Sequence, residues 1–596
     1  CLWGRHWDPL FEKDTKGLLQ KRMDEIVDGE LQNCKANGGA YTREHFFGTD
    51  PELLKMVEHM SDEEVGKLNR GGHDPYKVYA AYAAASAHKG QPTVILAQTV
   101  KGYGMGSAGE SRNPAHQSKK LDAENLRLFR DRFALPITDE QLEELPYYTP
   151  GPDSAEVQYM KKAREELGGF LPARDNSFAG IEVPGIEKFS AQTKGTGERE
   201  ISTTMAFVRM LATIVKDKQI GKYAVPIVPD EARTFGMEGM FKQVGIYSTE
   251  GQKYTPHDSD MVLSYHESAS GQILEEGINE AGAMSSWIAA GTAYANYGVP
   301  LIPFYIYYSM FGHQRVGDLA WAAGDMQAKG FLLGATAGRT TLNGEGLQHQ
   351  DGHSHIFAGV IPNVKSYDPT YAHEVAIIVQ DGLKRMYQDA ENVSYYLTLM
   401  NENYPHPEMP KGCEEGVLKG LYRLKKAAGK RKLRVQLMGS GTILREVEAA
   451  ADMLASDFNV DADVLSATSF NELRRDGLDV SRRNLLNPGK KAEQPWITQV
   501  LSEVDAPVVA ATDHIKLYAD QVREWVPGVY KVLGTDGFGR SDSRTKLREH
   551  FEVNRHYIVV AALNALAEKG DIKPAVVTKA IKDFGIDINK LNPLFA

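Results

Sequence analysis

The sequence predicts an α/β protein of mostly parallel sheets flanked by helices, and three observations lead there. Runs such as 299–312 and 330–335 are apolar at nearly every residue, as in strands buried on both faces rather than on one. These runs alternate with helical periodicity, as where Phe207, Met210, Leu211 and Ile214 fall on one face. Glycine-rich or carboxylate-bearing turns follow several strand ends, where open α/β folds put their ligands. A chain of 596 residues is too long for one core, and its length suggests about three or four domains.

With 42% hydrophobic and 25% charged residues the composition is that of an ordinary globular protein. A net charge of -11 argues against nucleic acid or an anionic membrane as partner, since both need clustered cations. It suits docking on a basic protein module. The longest apolar run, 299–312, is interrupted by prolines and is too short for a membrane span. Cys1, Cys34 and Cys413 have neither metal-ligand nor disulfide spacing, so a reducing cytoplasm is expected. The chain opens on Cys1 without a signal-peptide pattern, and is expected to begin inside a longer protein.

In the first segment, 74–88 has a helical pattern, with Asp74 before Pro75 suited to an N-cap. Residues 92–98 are expected to form a buried parallel strand. Lys101 follows that strand and precedes a glycine-rich turn, a position that suits a diphosphate contact or a solvated surface charge equally. The stretch 102–117 has little to bury and should stay mobile until a ligand orders it; it contains His116. From 134 to 190 prolines accumulate, as in a crossing segment, with one helix near 154–167.

A second α/β unit begins at Glu200, with a helix capped by Ser202 or Thr203 and a strand over 224–229. Asp230 and Glu231 end that strand, as metal ligands or as a salt bridge to Arg233. The organising stretch is 271–312, where Glu280 opens a small-residue helix and Phe311 follows the strand, so both should lie on one sheet edge. His349, His353 and His355 invite a zinc reading, but Gly344, Gly346 and Gly352 break the helix such a site needs, and no metal site is assigned. The last unit, from about Pro410, shows a βαβ pattern over 433–466.

Gly277-Ile278-Asn279-Glu280, the 304–311 strand end and Gly344-Glu345-Gly346-Leu347-Gln348-His349 resemble the pyrimidine-binding domain of thiamine-diphosphate enzymes of the transketolase type. Residues 230–239 and 305–311 resemble one family within that group, the homodimeric pyruvate dehydrogenase first component of many bacteria, and the likeness runs along essentially the whole chain. It implies three transketolase-like domains, the first incomplete. Residues 1–165 would be the remainder of a diphosphate-binding domain with its active-site loop, and 166–195 a linker. Residues 196–409 would be the pyrimidine-binding domain and 410–596 a C-terminal domain given to dimer contacts rather than chemistry.

The resemblance implies thiamine-diphosphate-dependent decarboxylation of pyruvate, with reductive acetylation of the lipoyl group of dihydrolipoamide acetyltransferase. Glu280 would hydrogen-bond the cofactor's pyrimidine and relay its proton, its pKa raised by apolar surroundings from Ile278 and the 304–311 strand. Glu275 and Glu276 are rivals by residue type. Phe311 would stack on the pyrimidine with Tyr308 nearby, Lys101 would meet the diphosphate, and Glu231 would sit in the active centre. His116 would pass the acetyl group to the lipoyl arm, assisted by His349 facing the substrate. The family holds the diphosphate through Mg²⁺ on a Gly-Asp-Gly motif that this sequence lacks, so Mg²⁺ ligands are expected in an N-terminal part that precedes Cys1. Two alternatives remain: another thiamine enzyme using sugar phosphates, or a non-catalytic fragment or assembly subunit.

Overall fold

A computed structural model describes residues 1–118, 120–170, 177–229, 232–257, 265–429 and 431–596. The chain divides into two compact units, Cys1–Gly169 and Phe170–Ala596.

The first unit is mostly short helices around a small aromatic core of Trp7, Phe46 and Phe47, with Leu10, Leu19, Leu53 and Val57. The expected helix is present as Pro75–Ala87, and Asp74 caps it by accepting from the N–H groups of Tyr76 and Lys77. The expected strand at 92–98 is not. Its backbone makes one isolated bridge, Leu2 to Ala97, and Val94 and Leu96 are 82% and 59% exposed. An apolar run becomes a strand only where a neighbour takes its N–H and C=O groups, and here almost none does. No residue of the Pro75–Ala87 helix is buried either, and Tyr76, Tyr79 and Tyr82 are exposed.

The second unit contains two large sheets. The first consists of β1 (Ala224–Val228), β2 (Leu274–Glu275), β3 (Ile302–Tyr307), β4 (Phe331–Ala335), β5 (Val364–Tyr367) and β6 (Ser394–Leu399), in the order β2-β1-β3-β4-β6-β5. Every pairing is parallel, in the register Phe304 to Phe331 and Leu333 to Leu397. Side chains alternate in β3, so Phe304 and Ile306 enter one core with Phe207, Leu211 and Ile378, while Tyr305 and Tyr307 enter another with Met284, Trp287 and Ala320. That double burial explains why β3 reads as a continuous apolar run. Ser202 caps the helix α1 (Thr203–Ile214) through the N–H of Met205. The small residues of α2 (Glu280–Asn296) permit close approach: a Cβ on Gly291 would lie 2.7 Å from the carbonyl oxygen of Lys329. Helix α3 (His313–Asp325) follows β3.

The second sheet holds β7 (Tyr422–Lys425), β8 (Leu433–Gly439), β9 (Val460–Ser466), β10 (Val508–Ala511) and β11 (Tyr530–Leu533), in the order β7-β9-β8-β10-β11. It is parallel except for the β7–β9 pair. Val435 and Leu437 face the 443–457 and 555–569 helices, and Met438 and Leu465 face Phe470 and Leu473. No helix among the described residues is long and apolar enough to cross a membrane.

Candidate active site

The strand end at β3 carries the site of the second unit. After Tyr307 the chain turns through a single 3-10 turn, Ser309–Phe311, and enters α3 at His313. Gly312 makes the turn possible, since a Cβ there would lie 2.0 Å from the Tyr307 ring. Phe311 is thereby left half-buried at the sheet edge. Its ring centroid is 5.9 Å from that of Tyr308 and 5.2 Å from that of His349, and His349 is 4.9 Å from Tyr308. Phe235 packs edge-on against Tyr308 at 5.8 Å. Four residues from three separate stretches of the sequence thus form one aromatic cluster.

Glu280 is the first residue of α2, whose N-cap Asn279 accepts from the N–H of Gly282. A carboxylate there is favoured by the helix dipole. Its Oε1 lies 2.5 Å from Nη1 of Arg315, one turn into α3, and the Arg315 guanidinium carbon is 4.0 Å from the Phe311 ring centroid. The apolar surroundings expected of Glu280 are therefore corrected: it faces a cation, and Ile278 is 70% exposed. The sequence alone gave no sign of Arg315, because a helix-start carboxylate and an arginine 35 positions later meet only once α2 and α3 pack together. The rival carboxylates are engaged elsewhere, Glu276 accepting from Ser286 Oγ at 2.5 Å and Glu275 from Tyr265 Oη at 2.8 Å.

His349 rides on a glycine-bounded turn, with Nδ1 3.4 Å from Glu345. That nitrogen is buried without a hydrogen-bond partner among the described residues. The segment 339–355 is clamped from the last sheet's side. Arg339 Nη1 donates to the carbonyls of Thr535 at 2.6 Å and Gly537 at 2.5 Å. The backbone N–H and hydroxyl groups of Thr340 and Thr341 all donate to the buried Asp513 carboxylate, whose pKa burial nevertheless raises. Gln350 Nε2 donates to the carbonyl of Leu342, its Oε1 accepts from the N–H of Arg540, and the N–H of Ile515 donates to the carbonyl of Gly352. The 410–596 region, expected to be given to dimer contacts, therefore also fixes the loop that bears His349. Pairings across about 160 or more positions leave no local pattern from which to read this.

Lys101 and His116 lie in the first unit, with Lys101 Nζ donating to His116 Nδ1 at 2.9 Å. The stretch 102–117 is folded around Glu110, which accepts from the N–H of Gly104 and pairs with Arg132 and Lys35. Glu231 and Asp230 fall outside the described residues.

A family model described as pyruvate dehydrogenase E1 component middle domain matches residues 181–407, and one for the transketolase-like C-terminal domain matches 420–554. The pyruvate dehydrogenase E1 component of Pseudomonas aeruginosa is 62% identical over 594 residues, covering 100% of this chain and 67% of that protein. The chain belongs to the pyruvate dehydrogenase E1 component family. The E1 component of Escherichia coli K12 is 55% identical over 598 residues, again 100% of this chain and 67% of the relative. This E1-family chain thus spans about two thirds of the length of the curated relatives it matches. Its fold is that of transketolase: the enzyme from Campylobacter jejuni superposes with a TM-score of 0.54 at 16% identity, over 91% of this chain and 76% of that one. Family and fold together make this a thiamine-diphosphate-dependent E1 chain, and its residues fit the pyrimidine half of that cofactor. A carboxylate acceptor, a half-exposed aromatic ring and an unpartnered buried imidazole nitrogen stand at one strand edge.

Proposed function

We propose that this chain takes part in the oxidative decarboxylation of pyruvate and the reductive acetylation of the lipoyl group of dihydrolipoamide acetyltransferase. The observation that carries the reading is Glu280 at the start of α2, joined through Arg315 to the Phe311 ring. Bound thiamine diphosphate supplies the electron sink that decarboxylation of a 2-oxo acid requires. Glu280 holds a proton at a carboxylate oxygen against the pyrimidine. Phe311 and Ile278 support that ring, and Tyr308 lines the space beside it. Lys101 and Glu231 complete the cofactor contacts, with Mg²⁺ at the diphosphate.

His349, held between Tyr308 and Phe311, faces substrate. His116 delivers a proton to the leaving lipoyl sulfur, with His349 assisting. The contact of Lys101 Nζ with His116 Nδ1 at 2.9 Å supports that role, because it holds the ring in one orientation in the loop. The working form in this reading is a cytoplasmic homodimer assembled with the acetyltransferase.

The test is pyruvate-dependent reduction of an artificial electron acceptor with added thiamine diphosphate and Mg²⁺, followed by acetylation of a lipoyl domain. Pyruvate turnover that reaches the lipoyl group supports the proposal. Turnover of ketose phosphates instead would overturn it.

A further inference from the structure

Behind the His349 loop, on the side away from Phe311 in sequence, three buried groups from three elements converge. They are His355 after the loop, Asp368 at the end of β5, and His514 after β10, and all three are fully buried. One ligand atom from each lies within 4.8 Å of the others. The two imidazole rings stand 4.8 Å apart at 87°, edge to face. Nδ1 of His355 and Nδ1 of His514 are buried without a hydrogen-bond partner among the described residues, while Nε2 of His514 has Asp368 Oδ2 at 3.4 Å.

Such orphaned nitrogens are costly unless something takes them up. The carboxylate is oriented as metal ligands usually are. Thr398 Oγ1 donates to Asp368 Oδ1 at 2.6 Å and Ser440 Oγ to Oδ2 at 2.8 Å, each using one lone pair and leaving another. Thr398 Oγ1 also lies 2.8 Å from His355 Nε2. The buried carboxylates of Asp351, Asp368 and Asp513 all act on His514, so the pocket favours positive charge.

We propose that His355, Asp368 and His514 form a structural site for a divalent transition ion, zinc by donor set, that ties β5 to β10. Two imidazoles and one carboxylate are ordinary zinc ligands. Ligands on a tetrahedral zinc sit about 3.3 Å apart, so the ion draws the three inward by about an ångström. With no exposed ligand atom, the ion enters as the chain folds. The competing occupant is a proton shared by His514 and Asp368, whose Nε2 and Oδ2 are 3.4 Å apart.

The two are separated by elemental mass spectrometry on the protein refolded with added zinc and freed of excess ion. The expected result is about one zinc per chain, with an unfolding midpoint above that of protein refolded with chelator. Asp368→Asn and His514→Gln, close in shape to the originals, should each lower zinc to background. If neither variant folds, the metal content of the unaltered protein decides. Less than about 0.1 zinc per chain, or full zinc in both variants, would overturn the proposal.

Discussion

Arg315 bridges Glu280 and Phe311: its Nη1 is 2.5 Å from the Glu280 carboxylate and its guanidinium 4.0 Å from the Phe311 ring. A planar ligand stacked on that face of Phe311 has to displace the guanidinium, and the carboxylate is then released to a new partner. Half-exposed ion pairs of this kind contribute little to stability, about 0 to 1 kcal/mol. Arg315→Met should therefore leave the thermal midpoint nearly unchanged. Glu280→Gln should lower pyruvate-dependent acceptor reduction by about 10²-fold or more, with the fold intact by circular dichroism. Full activity in the Gln variant would remove Glu280 from the chemistry.

The clamp on 339–355 predicts a kinetic split. Gln350→Leu removes the acceptor for the Arg540 N–H and the donor to Leu342, and loosens the His349 turn from behind. Acetylation of a lipoyl domain should fall about 10-fold or more in kcat, while acceptor reduction changes less and KM for pyruvate stays close to normal. Equal loss in both assays would mean that the clamp serves only the fold.

His406 predicts an acid limit on stability. Its Nδ1 accepts from the N–H of Ala372 at 3.0 Å and its Nε2 donates to the carbonyl of Ile201 at 2.9 Å, so only the neutral ring satisfies both. Burial lowers its pKa to about 4. A histidine depressed from 6.5 stabilises the fold fully above pH 6.5, and the contribution is lost as pH falls toward 4, when the unfolded chain alone takes the proton. The loss is about 3 kcal/mol. His406→Gln should show a flatter dependence of unfolding midpoint on pH across that window.

Asp74 predicts a cost in the first unit. It accepts from Tyr76 and Lys77 at the helix start and from the Arg5 N–H at 2.8 Å. Asp74→Ala should destabilise that unit by about 1 to 2 kcal/mol in urea titration, and Asp74→Asn by less.

How much of this was legible follows from where each signal resides. β3, β4 and β8 were readable because burial on both faces writes itself into consecutive residues, and α1 because its cap and apolar stripe are local. Glu280 and Phe311 were placed on one edge from a helix start and a strand end, their roles came from a family likeness, and His349 was named through that likeness alone. Arg315 was invisible because nothing in its own neighbourhood marks a partner across α2. Asp513, Gln350 and Arg540 were hidden for the same reason, at greater separation. The 92–98 run was misread because strand character depends on neighbours that its own sequence does not contain.

The thin core of the first unit has a thermal consequence. A single cluster of nine buried apolar residues forms the core among the described residues of 1–169, and the amides of 91–96 are tied to almost nothing, whereas β8 is laced on both edges. Calorimetry of the isolated chain should resolve two endotherms, the cooler and smaller belonging to the amino-terminal part. Deuterium should fill 91–96 long before it reaches 433–439.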